Sequence, residues 1–220
     1  MEVTTSGQFR VYRSPRDTDE LLLLERPVEG IDWADDGLVD AGADDAFSPT
    51  YVSTRDYDDT LGETVGELEP GNVVDATLAW DDGVPRFTAV ELRDRTRFRF
   101  VGAATGLFEA ARETWQATET AGEAIGSRVT YGTDGDPNAA LYVFAKQAGA
   151  RDLFDEFRNG VLPLDPLLGR IDVDVDTNEE LSDAPREVFV VRPLDESFVL
   201  VALAFDREGL FARTMRETYC

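Results

Sequence analysis

The sequence predicts an α+β fold: a strand-rich first half, followed by helices around an apolar β-hairpin. Three observations carry that prediction. Apolar residues recur at every second position in stretches of the first hundred residues, above all at Val74, Ala76, Leu78 and Trp80. Near Val101–Ala103 the spacing changes from two to about 3.6. Two wholly apolar runs, Val188–Val191 and Phe198–Phe205, then stand close together towards the end. Strands grouped first and helices grouped later suit segregated layers better than alternating βα units.

Taken in order, Phe9, Val11 and Arg13 alternate with Arg10 and Tyr12, and a turn through Ser14–Asp19 leads to Leu21–Leu24. Residues 30–49 string Asp32, Asp35, Asp36, Asp40, Asp44 and Asp45 between Gly and Ala. So little apolar surface predicts a solvated loop. The run lacks the alternating acids, glycine and closing Glu of a calcium-binding loop. From Gly71 onward, Val74, Ala76, Leu78 and Trp80 share one strand face, and Asp81-Asp82-Gly83 forms a hairpin turn. A long return strand is expected from Phe87 to Phe100. These elements predict a small antiparallel barrel-like domain over residues 1–101, with an oligonucleotide/oligosaccharide-binding-like barrel as one candidate.

The second domain, residues 102–220, starts with a helix over about 104–122, striped by Leu107, Phe108, Ala111 and Trp115. A second helix is predicted from Pro137, capped by Asp136, with Leu141, Phe144 and Ala148 on its apolar face. Gly149 interrupts it; Leu153, Phe154 and Phe157 continue a stripe to the stop at Gly160. Asp172, Asp174 and Asp176 alternate with Ile171, Val173 and Val175, as expected of an acidic edge strand. A calcium loop there would need glycine at Thr177 and Glu at Asp183. The two apolar runs form a buried hairpin joined by Pro193–Ser197. Asp206 then caps a last helix with Leu210, Phe211, Met215 and Tyr219 facing inward.

Composition is one-sided. The 220 residues hold 45 Asp plus Glu against 21 Lys plus Arg, a net charge of -24, and Lys146 is the single lysine. In dilute salt that much like charge strains a compact state. At molar salt the screening length falls to about 3 Å, so the strain is largely screened. Trading lysine for arginine also trims exposed aliphatic stem, which salt makes unfavourable. A cytoplasmic protein of an organism with molar internal salt is the expectation. The residues after Met1 have no charged n-region or apolar core of a secretory leader. The run Phe198–Phe205 falls well short of the roughly 18 residues of a membrane span. Cys220 is the only cysteine, so no internal disulfide is expected.

The stretches PGNVVDATLAWDDGVPRF (70–87), SRVTYGTDGDPNAALYVFAKQAGARDLFDEF (127–157) and REVFVVRP (186–193) resemble an uncharacterised protein family found in haloarchaea. The likeness runs along nearly the whole chain. It implies a salt-adapted host and brings no activity, so no functional residue is carried over.

The absence of histidine removes Ser–His and Cys–His nucleophiles and imidazole metal ligands, leaving acid–base chemistry to carboxylates, Tyr or Lys146. No phosphate-loop or dinucleotide fingerprint is present. No cofactor or metal is expected. On a continuous strand, Arg93, Arg95, Arg97 and Arg99 would line one face, opposite Leu92, Thr96, Phe98 and Phe100. Such a face suits phosphates or single-stranded nucleic acid. The favoured reading is internal pairing with neighbouring acids. Tyr131, Asp134 and Asp136, in a glycine-containing loop, are the candidate site of an enzyme, with a structural role for the loop favoured. The function expected is therefore a non-enzymatic binding or adaptor protein that uses the N-terminal sheet, with a protein partner ahead of nucleic acid. The alternative is a carboxylate-dependent hydrolase of phosphate esters.

Overall fold

The computed structural model of the chain describes residues 3–26, 48–146, 152–174 and 184–220. The chain divides into two compact units, Met1–Arg97 with Asn159–Val161, and Phe98–Arg158 with Leu162–Cys220. Together they hold a mixed α+β structure, mostly strands in two sheets, with five short helices among the described residues. None of these helices is long and apolar enough to cross a membrane.

The first unit is a five-stranded sheet of order β3-β2-β1-β4-β5, with β1 Val3–Arg13, β2 Glu20–Glu25, β3 Thr50–Ser53, β4 Val73–Asp81 and β5 Val84–Asp94. Every pairing in it is antiparallel. Alternation puts Phe9, Val11, Val74 and Leu78 on the inner face, where they pack with Val65 and Leu68 from helix α1 (Asp59–Gly66) and the residues just after it. The β4–β5 turn takes the predicted form, with Asp82 at φ 47° and Gly83 at φ 81°.

The predicted barrel is not closed by a ladder. The sheet curls until its two edges, β3 and β5, come close, yet they do not pair. Side chains span the gap instead. The Tyr57 hydroxyl donates to Ser53 O at 2.9 Å and accepts the Phe87 N–H at 3.1 Å. The Arg86 guanidinium lies 4.8 Å from the centre of the Tyr57 ring and donates to the carbonyls of Arg55 and Asp56.

The long return strand is also divided. β5 ends at Asp94, whose carboxylate accepts the Thr96 N–H at 2.7 Å and turns the chain. The carbonyl of buried Thr96 accepts from Asn72 Nδ2. β6 (Arg97–Ala104) then belongs to the other sheet.

That second sheet has the order β6-β9-β10-β8-β7, with β7 Ile125–Tyr131, β8 Pro137–Ala145, β9 Glu187–Pro193 and β10 Phe198–Ala204. One face packs Leu141, Val143, Phe189 and Leu200 against α2 (Glu109–Ala121) and α5 (Leu210–Tyr219). Trp115 of α2 stacks on Phe198 at 5.2 Å. On the opposite face, Phe157 of α3 (Leu153–Arg158) meets Phe144 edge-on at 5.4 Å. β9 and β10 are apolar on both faces, as the hairpin reading expects of buried strands.

Several sequence expectations are corrected here. The segment from Pro137 is strand β8, paired to β7 and β10, so Leu141 and Phe144 lie on opposite faces of a sheet rather than on one helix face. Its run of apolar residues fits either element; burial on both sides selected the strand. Asp136 therefore caps no helix. The helix predicted over 104–122 is α2 and starts at Glu109, because β6 runs on to Ala104 and Gly106 (φ 66°) turns the chain first. Residues Ile171–Asp174 end helix α4 (Asp165–Asp174) instead of forming an edge strand. The last helix has Gly209 as its N-cap, while Asp206 accepts the Glu208 N–H in the preceding turn. Leu210 there is 69% exposed, not inward-facing. The acidic segment 30–47, Ala148, Gly149, Asp176, Thr177 and Asp183 lie outside the described residues.

Candidate functional site

The outer face of the first sheet has two ends. At one end Tyr12 and Leu22 are wholly buried, and Arg10 is only 3% exposed. Gly160, with φ 71°, packs against Leu24 and Tyr12 there; a Cβ on it would come within 2.5 Å of Leu24 Cδ1. At the other end the face is open. Ser6, Gln8, Asp75, Thr77, Ala89 and Glu91 line a shallow concavity of about 800 Å³ there.

Register explains the lining. Gln8, Asp75 and Glu91 stand side by side on β1, β4 and β5, and Ser6, Thr77 and Ala89 form the adjacent row. The small side chains of the second row leave the depression. Two register irregularities in β5 shape its rim. At one, Thr88 donates its hydroxyl to Thr77 O. At the other, Arg93 is the extra residue, which turns its guanidinium onto the outer face.

A hydrogen-bonded chain crosses the first row. Arg26 Nη1 donates to Gln8 Oε1 at 2.8 Å, and Gln8 Nε2 donates to Asp75 Oδ1 at 3.1 Å. Arg93 donates to Asp75 and Glu91 at 2.6 Å each. The Gln8 amide first, and then Arg93, holds the Asp75 carboxyl below the usual carboxylate range. Asp75 raises Arg93 in return. A carboxylate held ionised in this way offers fixed charge and hydrogen bonding, and makes a poor proton donor at neutral pH. Ser6 and Thr77 add a hydroxyl pair at 2.9 Å.

The four predicted arginines are not brought onto one strand face. Arg93 is on β5, Arg95 lies between strands, and Arg97 and Arg99 are on β6. Arg97 is ion-paired with Glu69, and Arg99 Nε with Glu187 Oε1 at 2.5 Å. The guanidiniums of Arg93, Arg97 and Arg99 thus rest on carboxylates of their own chain. Tyr131, Asp134 and Asp136 sit at the β7–β8 turn, with Tyr131 64% exposed. Asp134 Oδ1 accepts the Asp136 N–H at 3.2 Å, and Gly132 N–H donates to Asp136 O at 2.8 Å. Those bonds build a turn rather than a cleft.

Sequence reasoning missed Glu187, which is wholly buried and held by both Arg99 and Arg216. One acid at the start of an apolar strand carries no periodic signal. Gln8 and Asp75 were missed because polar residues on a predicted outer face look alike until register aligns them. Lys146, singled out by composition, donates to the carbonyls of Pro193 at 3.0 Å and Glu196 at 2.8 Å, and burial lowers its pKa. It fastens the β9–β10 turn.

One family model matches residues 1–220, the entire chain. The chain belongs to the family of unknown function DUF6663. Membership supplies no activity for any residue of the concavity. No curated protein and no solved structure matches the chain.

Proposed function

We propose that the protein is a non-enzymatic binding or adaptor protein, and that the open end of the first sheet's outer face takes a protein partner. The observation that carries this reading is the concavity itself: an exposed, small-residue floor beside a pre-formed row of fixed polar groups. The strand order, the helix between β3 and β4, and the approach of β3 to β5 support reading the first unit as a partly open, oligonucleotide/oligosaccharide-binding-like barrel. Fold likeness alone assigns no ligand. A protein partner is favoured over nucleic acid because Arg93, Arg97 and Arg99 already hold carboxylates, and a polyanion would also meet a net charge of -24.

The test is affinity capture at molar KCl with the full chain and with Ala89→Arg, which fills the exposed floor. Proteins retained by the wild type and lost with the variant, while circular dichroism stays unchanged, support the reading. Retention of the same set by both overturns it.

We also propose that this partner is met in the cytoplasm of a salt-in halophile. Dialysis from molar to about 0.1 M KCl lengthens screening to about 10 Å and should unfold the chain cooperatively. An unchanged thermal midpoint across that range would sink the salt dependence.

A further inference from the structure

Sheet edges normally carry devices that stop them pairing with other chains: short length, proline, irregular register or charge. Among the described strands, three of the four edges carry such devices. β3 has four residues. β5 contains Pro85, two register irregularities and the charged Glu91, Arg93 and Asp94. β6 carries two charged residues, Arg97 and Arg99, where β7 carries one.

The fourth edge, β7, is different. Its seven residues, Ile125–Tyr131, include a single charge, Arg128, which Glu113 of α2 offsets at 2.7 Å. Its one register irregularity falls at its last residue. In a chain with 45 acids, none occurs from Ala124 to Thr133. Within that acid-free stretch, β7 exposes Ser127, Arg128 and Tyr131.

We propose that β7 pairs antiparallel with β7 of a second copy of this chain, joining two second-unit sheets into one. A two-fold axis makes the contact self-complementary, since each strand supplies what the other lacks. On the face away from α2, the strand carries Ile125, Val129 and Tyr131, which would meet their counterparts and extend the apolar surface. On the α2 face, the exposed Arg128–Glu113 pairs of the two copies would adjoin as an alternating set of charges. At molar salt the mutual repulsion of two chains of charge -24 is screened, so the acid-free edge can close. The proposal stands on the second unit and is independent of any partner of the first.

Light scattering on the eluting full chain in molar KCl, over a range of concentrations, should give a mass near twice 24.3 kDa at the upper end. Backbone amides of residues 124–133 should exchange more slowly there than on dilution. Ser127→Asp places an acid on each copy at the junction and should raise the dimer Kd by about tenfold or more. Ser127→Ala should leave it unchanged. A monomeric mass throughout overturns the proposal. So does a dimer that Ser127→Asp leaves intact, or one whose 124–133 amides exchange as fast as the monomer's. Exchange on the wild type keeps the proposal testable even if a variant misfolds.

Discussion

Both units are built on five-stranded sheets, but they handle water and charge in opposite ways. The first sheet keeps part of its outer face open and closes its seam with side chains, Tyr57 and Arg86. The second is apolar on both faces of β9 and β10 and carries a buried carboxylate, Glu187, between two arginines. The same pair chemistry therefore occurs in two settings. Arg93 and Asp75 are both well exposed, whereas Glu187 is wholly buried, with Arg99 and Arg216 mostly shielded. Water screens the first pair and scarcely reaches the second carboxylate, so equal-looking ion pairs should differ widely in their effect on stability.

That contrast breaks most sharply at Glu187. Glu187→Gln leaves two guanidiniums facing a neutral amide in a dry site and should destabilise by about 3 kcal/mol. Denaturant unfolding in molar KCl reads this. A loss below about 0.5 kcal/mol, the level of an exposed pair, would erase the distinction between the two settings.

Next comes the packing of the second unit. Gly126 of β7 lies so close to α2 that a Cβ would collide with the Thr118 hydroxyl. Gly126→Ala should lower stability by about 2 kcal/mol through overpacking. Thr118→Ala in the same chain should recover part of it. If the alanine is tolerated without loss, the helix is not held tightly on its strand.

The clasp of the first unit should have a smaller effect. Tyr57→Phe removes the hydroxyl shared by Ser53 O and Phe87 N–H, a loss of about 1 kcal/mol. Burial raises this phenol above its ordinary value of 10.0, so the fold keeps a proton that the unfolded chain releases. The stability involved is complete below pH 10 and declines as pH rises above it. Tyr57→Phe should flatten that alkaline limb, leaving the slope due to Tyr219 and Cys220, both of which burial also raises. A thermal midpoint that falls identically with pH in both proteins would remove Tyr57 from the seam's account.

Arg93→Gln should have the least effect. Its partners are exposed, so the thermal midpoint is expected to stay within error, while capture of a partner at the concavity weakens. A clear drop in midpoint would make Arg93 a structural residue and remove it from the proposed binding surface.

Some features were legible in sequence because they are local. Asp82-Gly83 made its hairpin because two positive φ angles in succession suit those residues. Trp115 and Ala111 landed on the buried face of α2, since helical spacing alone places them together. Gly160 ended its helical stretch two residues after α3. The candidate concavity was not legible in this way. Gln8 and Asp75 are 67 positions apart and meet only through the β1–β4 register.

By itself, then, the sequence determined the strand-rich first half, the hairpin turn, the α2 stripe, the β9–β10 pair and the acidic character of the surface. Each follows from short-range spacing or from composition. Tertiary structure alone decided that Pro137–Ala145 is a strand, that the arginine segment splits at Arg95–Thr96 between two sheets, and that Glu187 is a buried anchor. A run of apolar residues satisfies helix and strand equally until both of its faces are covered. A row of charges likewise acquires a role only when register brings its partners from distant parts of the chain.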